Sequence, residues 1–314
     1  MVTETKLDRF AKYSWFVIAF NLVVILWGVF LRASKSGDGC GQHWLTCHGE
    51  VIPSAPELKT VIEFSHRITS AIAFFAVLGL VIWTFRKFKK GDPIRKTALI
   101  SFFFIITEAA VGAGLVLTGN TADSLTAARP FWMAGHLINT FILLAFLTLT
   151  ARYASGGRGM VSGIATKYKA AIAIGVAAIF VVGISGSIAA LSHMLFPSGT
   201  LAEGMAKDFS PTSNILLRLR LLHPITAILT SVFLVFLTGW IAKESGNEAG
   251  VKRWANTLAI LVLVQIAFGS LTLFTLAPIL MQLGHLFLAD AIWISYVLMA
   301  ASFFSADRLL VEEI

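Results

Sequence analysis

Val61-Ile62-Glu63-Phe64-Ser65-His66-Arg67-Ile68-Thr69-Ser70 opens an apolar run that continues to Phe85. A stretch of about 20 such residues spans a bilayer as a helix. Ionisable groups inside a span are costly, and they usually face a bundle interior and carry function. Glu63 and His66 are three residues apart, so on a helix they share one face about a turn apart. One can grip a bound group while the other does chemistry on it.

The same phrase recurs. Of seven histidines, four stand near the beginnings of separate hydrophobic runs: His66, His136, His223 and His285. His66-Arg67-Ile68-Thr69-Ser70 is matched by His223-Pro224-Ile225-Thr226-Ala227, and Gly135-His136-Leu137 by Gly284-His285-Leu286. The separations, 157 residues (66 to 223) and 149 (136 to 285), indicate one unit of about half the chain used twice.

Composition sets the class. The chain is 57% hydrophobic, 13% charged and has a mean hydropathy of +0.80, whereas a soluble domain carries about 25% charged residues. The expected fold class is an all-α integral membrane protein. The net charge of +8 does not point to nucleic acid, because Lys and Arg cluster in short segments between apolar runs, as inner-face membrane loops do.

Eight spans are expected, near 15–31, 60–85, 97–117, 131–150, 168–190, 219–241, 254–275 and 279–303. They divide into an N-terminal four-helix bundle at 15–152, a cytoplasmic linker at 153–167 and a C-terminal four-helix bundle at 168–304. The first run is too long for a signal-peptide core and is expected to remain as a helix, and a tail holding Glu4 and Asp8 is unlike a transit peptide. A multi-pass protein of the bacterial plasma membrane is the expectation. Most basic residues fall in the N-terminal tail, 86–96, 152–169, 243–253 and the C-terminal tail, which places both termini in the cytoplasm. The even-numbered spans then run inward from the outer face, and the four histidines share one depth near it.

A single intramembrane histidine is as readily a packing residue as a ligand. Four at one depth, in duplicated contexts, point to metal or haem ligation, and histidine pairs on neighbouring helices hold a haem from both faces. Zinc wants three or four ligands grouped tightly, which this pattern does not offer. A di-iron carboxylate site would need a second Glu-x-x-His and further bundle glutamates, but Glu108 is the only other glutamate deep in a span. Glu63 is read as catalytic, its bland alternative being a partner for a ligand or for Arg67. Arg67 suits a haem propionate. The second half has Pro224 at that position and Arg220 where Glu63 would be, so the halves are not equivalent.

The loop Ser36-Gly37-Asp38-Gly39-Cys40-Gly41-Gln42-His43-Trp44-Leu45-Thr46-Cys47-His48-Gly49 holds the only two cysteines. Their Cys-x6-Cys spacing is not that of covalent haem attachment. On an oxidising face a Cys40–Cys47 disulfide is expected, either as a staple or as a redox-active pair. A metal site with His43 and His48 is the lesser alternative. His193 is read as interfacial, and 197–211 as an outer connection with no legible chemistry.

Together, Gly39-Cys40-Gly41-Gln42-His43-Trp44 to Cys47-His48-Gly49, Ile62-Glu63-Phe64-Ser65-His66-Arg67, Gly135-His136, Leu222-His223-Pro224 and Gly284-His285 resemble the haem A synthase family of the bacterial type, over essentially all eight spans. The sequence departs from that family at Leu45-Thr46, where a proline often stands near the second cysteine. The resemblance implies two pseudo-symmetric four-helix bundles, the first handling substrate haem O and the second a haem b cofactor. It implies oxidation of the C8 methyl group of haem O to a formyl group, giving haem A for terminal oxidases. His66 and His136 would flank the haem O iron, His223 and His285 would ligate haem b, Glu63 would be the essential glutamate, and Cys40 and Cys47 the outer-loop pair. Partners would be the lipid bilayer, a haem O synthase and terminal oxidase assembly partners, with room for a homo-oligomer. The rival readings are a di-haem cytochrome b electron-transfer subunit and, less well supported, a transporter using the histidines as proton relays.

Overall fold

Helix-forming runs this apolar have one way to satisfy their backbone in lipid, which is to bond it internally along each helix. The computed structural model describes residues 7–161 and 164–306; Glu4 and Lys6 of the tail, residues 162–163 of the expected linker and Arg308 lie outside the described residues. The order is α1 (Arg9–Ala33), α2 (Leu58–Lys87), α3 (Pro93–Leu117), α4 (Arg129–Ala154), α5 (Thr166–Leu195), α6 (Leu201–Phe209), α7 (Ile215–Arg220), α8 (Leu222–Glu244), α9 (Ala249–Phe274) and α10 (Ile279–Phe303). Eight segments among the described residues are long and apolar enough to cross a membrane, α7 and α8 counting as one. The protein is an all-helical, multi-pass membrane protein.

Local chemistry sets the ends. Asp8 caps α1 by accepting from the Ala11 N–H at 2.8 Å, and Asp92 caps α3 with Pro93 at its first turn. Gly91, at φ +94°, makes the turn between α2 and α3 that only a residue without a Cβ adopts cheaply. The break between α7 and α8 falls at Leu221, three residues before Pro224. That residue has no N–H for the Arg220 carbonyl, so the hydrogen-bond ladder skips a step while Leu221 keeps helical angles. The sixth span therefore begins at Ile215, not near 219. The connection at 197–211 also holds an unexpected helix, α6, capped by Thr200 accepting from the Glu203 N–H at 3.1 Å.

α1 packs on α2, α2 on α3, α3 on α4, and α4 back on α1. In the second half α5 packs on α8, α8 on α9 and α9 on α10, while the Tyr296 hydroxyl of α10 donates to the Ile172 carbonyl of α5 at 2.6 Å. α4 and α10 join the halves, and α4 serves both cores. Its Leu143, Leu147 and Ala151 pack with Val17, Val77 and Leu80, while its Phe141 and Leu144 pack with Trp293, Tyr296 and Leu258. Large apolar side chains left outside these cores, such as Phe16, Phe75, Phe103, Leu229 and Leu280, are what a lipid-facing surface requires.

Candidate functional site

The four histidines enter their helices at matching positions. His66 lies eight residues after the start of α2, His136 seven after that of α4, His223 eight after that of α7, and His285 six after that of α10. At 1.5 Å per residue, each is roughly 9–12 Å from its helix beginning. Those beginnings share one end of the molecule. There the loop after α1 meets the loop before α4, with Lys35 2.7 Å from Asp123. That ammonium holds the Asp123 carboxyl below the usual range.

His223 and His285 face each other with ring centroids 6.2 Å apart and planes at 89°. An imidazole nitrogen sits about 2 Å from a metal and roughly 1 Å from its ring centre, so two imidazoles on opposite sides of one ion place their centres about 6 Å apart. An edge-to-face ring pair has a similar spacing, so the ring nitrogens decide. His285 Nδ1 is buried with no hydrogen-bond partner, and His223 Nδ1 lies 3.3 Å from Ser185 Oγ. In the first half, His66 and His136 are within electrostatic reach of one another, and each has a buried Nδ1 with no hydrogen-bond partner. Unpartnered buried nitrogens are uncommon and ask for a reason.

Glycines make the space. A Cβ added at Gly28 on α1 would lie 3.0 Å from His66 Cε1, one at Gly186 on α5 2.9 Å from His223 Cε1, and one at Gly269 on α9 2.8 Å from His285 Cε1. Each ring thus lies against a neighbouring helix at a position where an added Cβ would make the ring shift. His136 instead lies beside Glu108, with its Nδ1 3.3 Å from Oε1, an ion-pair distance without hydrogen-bond alignment.

Glu63 is 3% exposed. Its Oε1 accepts from Arg67 Nη2 at 2.5 Å, and its Oε2 accepts from the Cys40 backbone N–H at 2.9 Å. Arg67 also donates to the Thr46 carbonyl at 2.7 Å. Both residues therefore bind the loop between α1 and α2, and Arg67 is paired with Glu63. Cys40 and Cys47 form a disulfide, and Thr60 Oγ1 donates to the Gly39 carbonyl at 2.6 Å, so the stapled loop sits on the start of α2. His48 Nε2 lies 2.9 Å from that same carbonyl. Among the described residues no cluster of three or more His, Cys, Asp or Glu able to hold a metal ion occurs, so His43 and His48 do not form one with the cysteines.

The position in the second half that corresponds to Glu63, Arg220, likewise fixes an outer segment, pairing with Asp208 of α6 at 2.6 Å. Residues the sequence reading missed are Gly28, Gly186, Gly269, Arg32 and Arg129. Arg129 is 3% exposed, donates to the Ser124 carbonyl at 2.7 Å, and keeps an Nε with no partner. Arg32 lies within electrostatic reach of both Arg129 and His136. Asp123 is within electrostatic reach of Arg129, and among the described residues neither guanidinium has an ion pair with a carboxylate, so the two are a receiving site for acid groups. Facing histidines, free ring nitrogens, glycine-lined approaches and spare arginines fit an iron porphyrin in kind and in spacing. The surface cleft lined by Gly79, Ile82, Trp83, Arg86 and Lys87 lies at the other end of α2 and has no part in this arrangement.

These features define a multi-pass helical membrane protein with duplicated, histidine-bearing helix ends. The chain belongs to the COX15-CtaA family of cytochrome oxidase assembly proteins, which matches residues 11–297. It is similar to a heme A synthase of Shouchella clausii, 33% identical over 254 residues, covering 79% of this chain and 81% of that protein. It is also similar to a heme A synthase of an Exiguobacterium species, 37% identical over 141 residues and 45% of each chain. A Thermus thermophilus protein named protoheme IX farnesyltransferase is 42% identical over 295 residues, covering 94% of this chain. The chain spans about half the length of that relative, since the match takes in 48% of it.

Proposed function

We propose that the protein is a haem A synthase, which oxidises the C8 methyl group of haem O to a formyl group. The observation that carries this reading is the asymmetry of the halves within one family-wide match. Glu108 and Arg67 lie within electrostatic reach of the first histidine pair, with Glu63 paired to Arg67, whereas among the described residues no carboxylate pairs with either histidine of the second half.

In this reading 15–152 is the catalytic bundle and 168–304 the supporting one. His66 and His136 hold the iron of haem O, and His223 and His285 hold a haem b. Iron porphyrins supply the one-electron chemistry. Glu63, paired with Arg67 and accepting from the Cys40 N–H, receives protons released as the methyl group is oxidised. The loop at 34–57, closed by its disulfide, covers the outer end of the first half against water. Arg32 and Arg129 receive the acid side arms of the substrate, a role Arg67 cannot fill while it is paired with Glu63. The basic segments at 86–96, 152–169 and 243–253 support a reading with both termini in the cytoplasm and the histidines near the outer face of a bacterial plasma membrane.

A second reading is favoured by one observation, the printed name of the Thermus relative. That protein is about twice as long, and its name can describe the half outside the match. The same match supports a haem O-forming enzyme as the partner that supplies substrate. One experiment separates all three readings: haem extraction and mass analysis from membranes expressing the chain with a haem O source, for the wild type and for Glu63→Ala. Haem A, or its hydroxylated precursor, should appear with the wild type and collapse in the variant while haem b stays bound. Two unmodified haem b groups would establish the electron-transfer reading, and haem O made from protohaem the prenyl-transfer one.

A further inference from the structure

The repeat extends to a position that carries no histidine. Glu108 of α3 and Gln265 of α9 are 157 residues apart, as are Gly112 and Gly269 one turn later, the same offset that relates His66 to His223. The neighbouring helices change with them. Asn139 and Thr140, three and four residues after His136, stand where Leu288 and Ala289 follow His285.

In the first half this set forms a closed network. Thr140 Oγ1 donates to Glu108 Oε1 and Asn139 Nδ2 to Glu108 Oε2, both at 2.5 Å. Thr107 Oγ1 donates to Asn139 Oδ1 at 2.6 Å, which turns the amide so that its NH₂ faces the carboxylate. Both carboxylate oxygens are thereby fixed, and Oε1 is held 3.3 Å from His136 Nδ1. In the second half Gln265 Nε2 donates instead to the His285 carbonyl at 3.0 Å and lies 3.5 Å from His285 Nε2, Gln265 Oε1 has no partner, and among the described residues no carboxylate stands against His285 Nδ1 as Glu108 does against His136. A glutamine flanked by leucine and alanine cannot do what the first half does.

We propose that Glu108 is the positioning residue of the first half. It fixes the His136 ring through Nδ1, leaves Nε2 for the substrate's iron, and makes that imidazole a more electron-donating ligand than His285. A carboxylate behind a ligating histidine is a recurrent device for orienting the ring and raising its basicity. The consequence is an iron in the first half biased toward its oxidised form relative to the iron in the second, so that electrons pass from the first site to the second. This rests on the haem reading above.

The test is a spectroscopic redox titration of the purified, full-length, haem-loaded protein, following the two haems separately. Glu108→Gln is expected to raise the midpoint potential of the first-half haem and leave the second unmoved; a tenfold loss of preference for ferric iron reads as about 59 mV in a one-electron couple. Glu108→Asp is expected to restore part of the shift. Should Glu108→Gln fail to hold haem, the combination Glu108→Gln, Asn139→Leu and Thr140→Ala reproduces the surroundings of His285 and supplies the same readout. The reverse change, Gln265→Glu with Leu288→Asn and Ala289→Thr, should lower the second potential. Unchanged potentials in a first half that still binds haem overturn the role of Glu108 and leave the haem reading intact. A wild type whose haem content is unaffected by His136→Ala overturns both.

Discussion

A methyl group at Gly269 or Gly186 would come within 2.8–2.9 Å of a histidine ring carbon, closer than packed carbon atoms tolerate, so either the ring or a helix must move. Overpacking of this kind costs about 1–3 kcal/mol, and a ligand displaced by a few tenths of an ångström no longer meets its metal. Gly186→Ala and Gly269→Ala are therefore expected to lose the second-half haem while sparing the first, and Gly28→Ala, with its 3.0 Å contact to His66, to do the opposite. Gly112→Ala is the internal control, because nothing lies within 4 Å of its added Cβ. Haem content per half, read from absorption of each purified variant, checks the pattern. Equal losses in both halves would show that these glycines serve helix packing in general and not the rings. At this scale the sequence was legible where chemistry repeats: the four histidines stood out by their shared phrases. The glycines did not, since a glycine's purpose lies in what approaches it from another helix. Glu108 was visible as a buried carboxylate, and its purpose emerged only beside Asn139 and Thr140.

Helix α2 and the loop before it act as one unit, because Glu63 accepts from the Cys40 N–H and Arg67 donates to the Thr46 carbonyl. The disulfide closes a short ring, Cys40 to Cys47, worth about 2–3 kcal/mol in the chain-entropy account. That is small against a folded bundle and large against a loop, so its loss should be felt locally. Reduction, or Cys47→Ser, is expected to leave all eight spans and the second-half haem in place while lowering haem A formation, measured by extraction alongside absorption spectra. Loss of the second-half haem on reduction would contradict a local role. The spans themselves were readable from hydropathy, since length and apolarity are sums over many residues. The α7–α8 break and α6 were not, because they depend on one missing N–H at Pro224 and on a Thr200 cap in a mixed segment. The partners of Arg67 were hidden for the same reason: a guanidinium suits any carboxylate, and its pairing with Glu63 and the Thr46 carbonyl is decided by the loop folding back over it.

For the molecule as a whole, the halves meet through α4 and α10. Trp293 Nε1 donates to the Phe141 carbonyl at 2.6 Å, and the two rings stack with centroids 5.5 Å apart. Phe180 of α5 joins from the second half, 5.4 Å from Trp293 and 5.8 Å from Phe141. Inside a bilayer, burying apolar surface gains little over lipid, so helix association rests on packing and on hydrogen bonds that average about 0.6 kcal/mol. Aromatic pairs add about 0.5–1.5 kcal/mol each. Trp293→Leu removes the donor and two ring contacts and leaves the Phe141 carbonyl unpaired, so a loss of about 2–3 kcal/mol is expected. The effect should fall on the junction. Each half keeps its own histidine-bearing helices, so haem content should persist while the two halves lose their common melting transition in detergent. If thermal unfolding stays a single cooperative step with an unchanged midpoint, the aromatic contact is not what holds the halves together, and the weight moves to the contacts of α1 with α10.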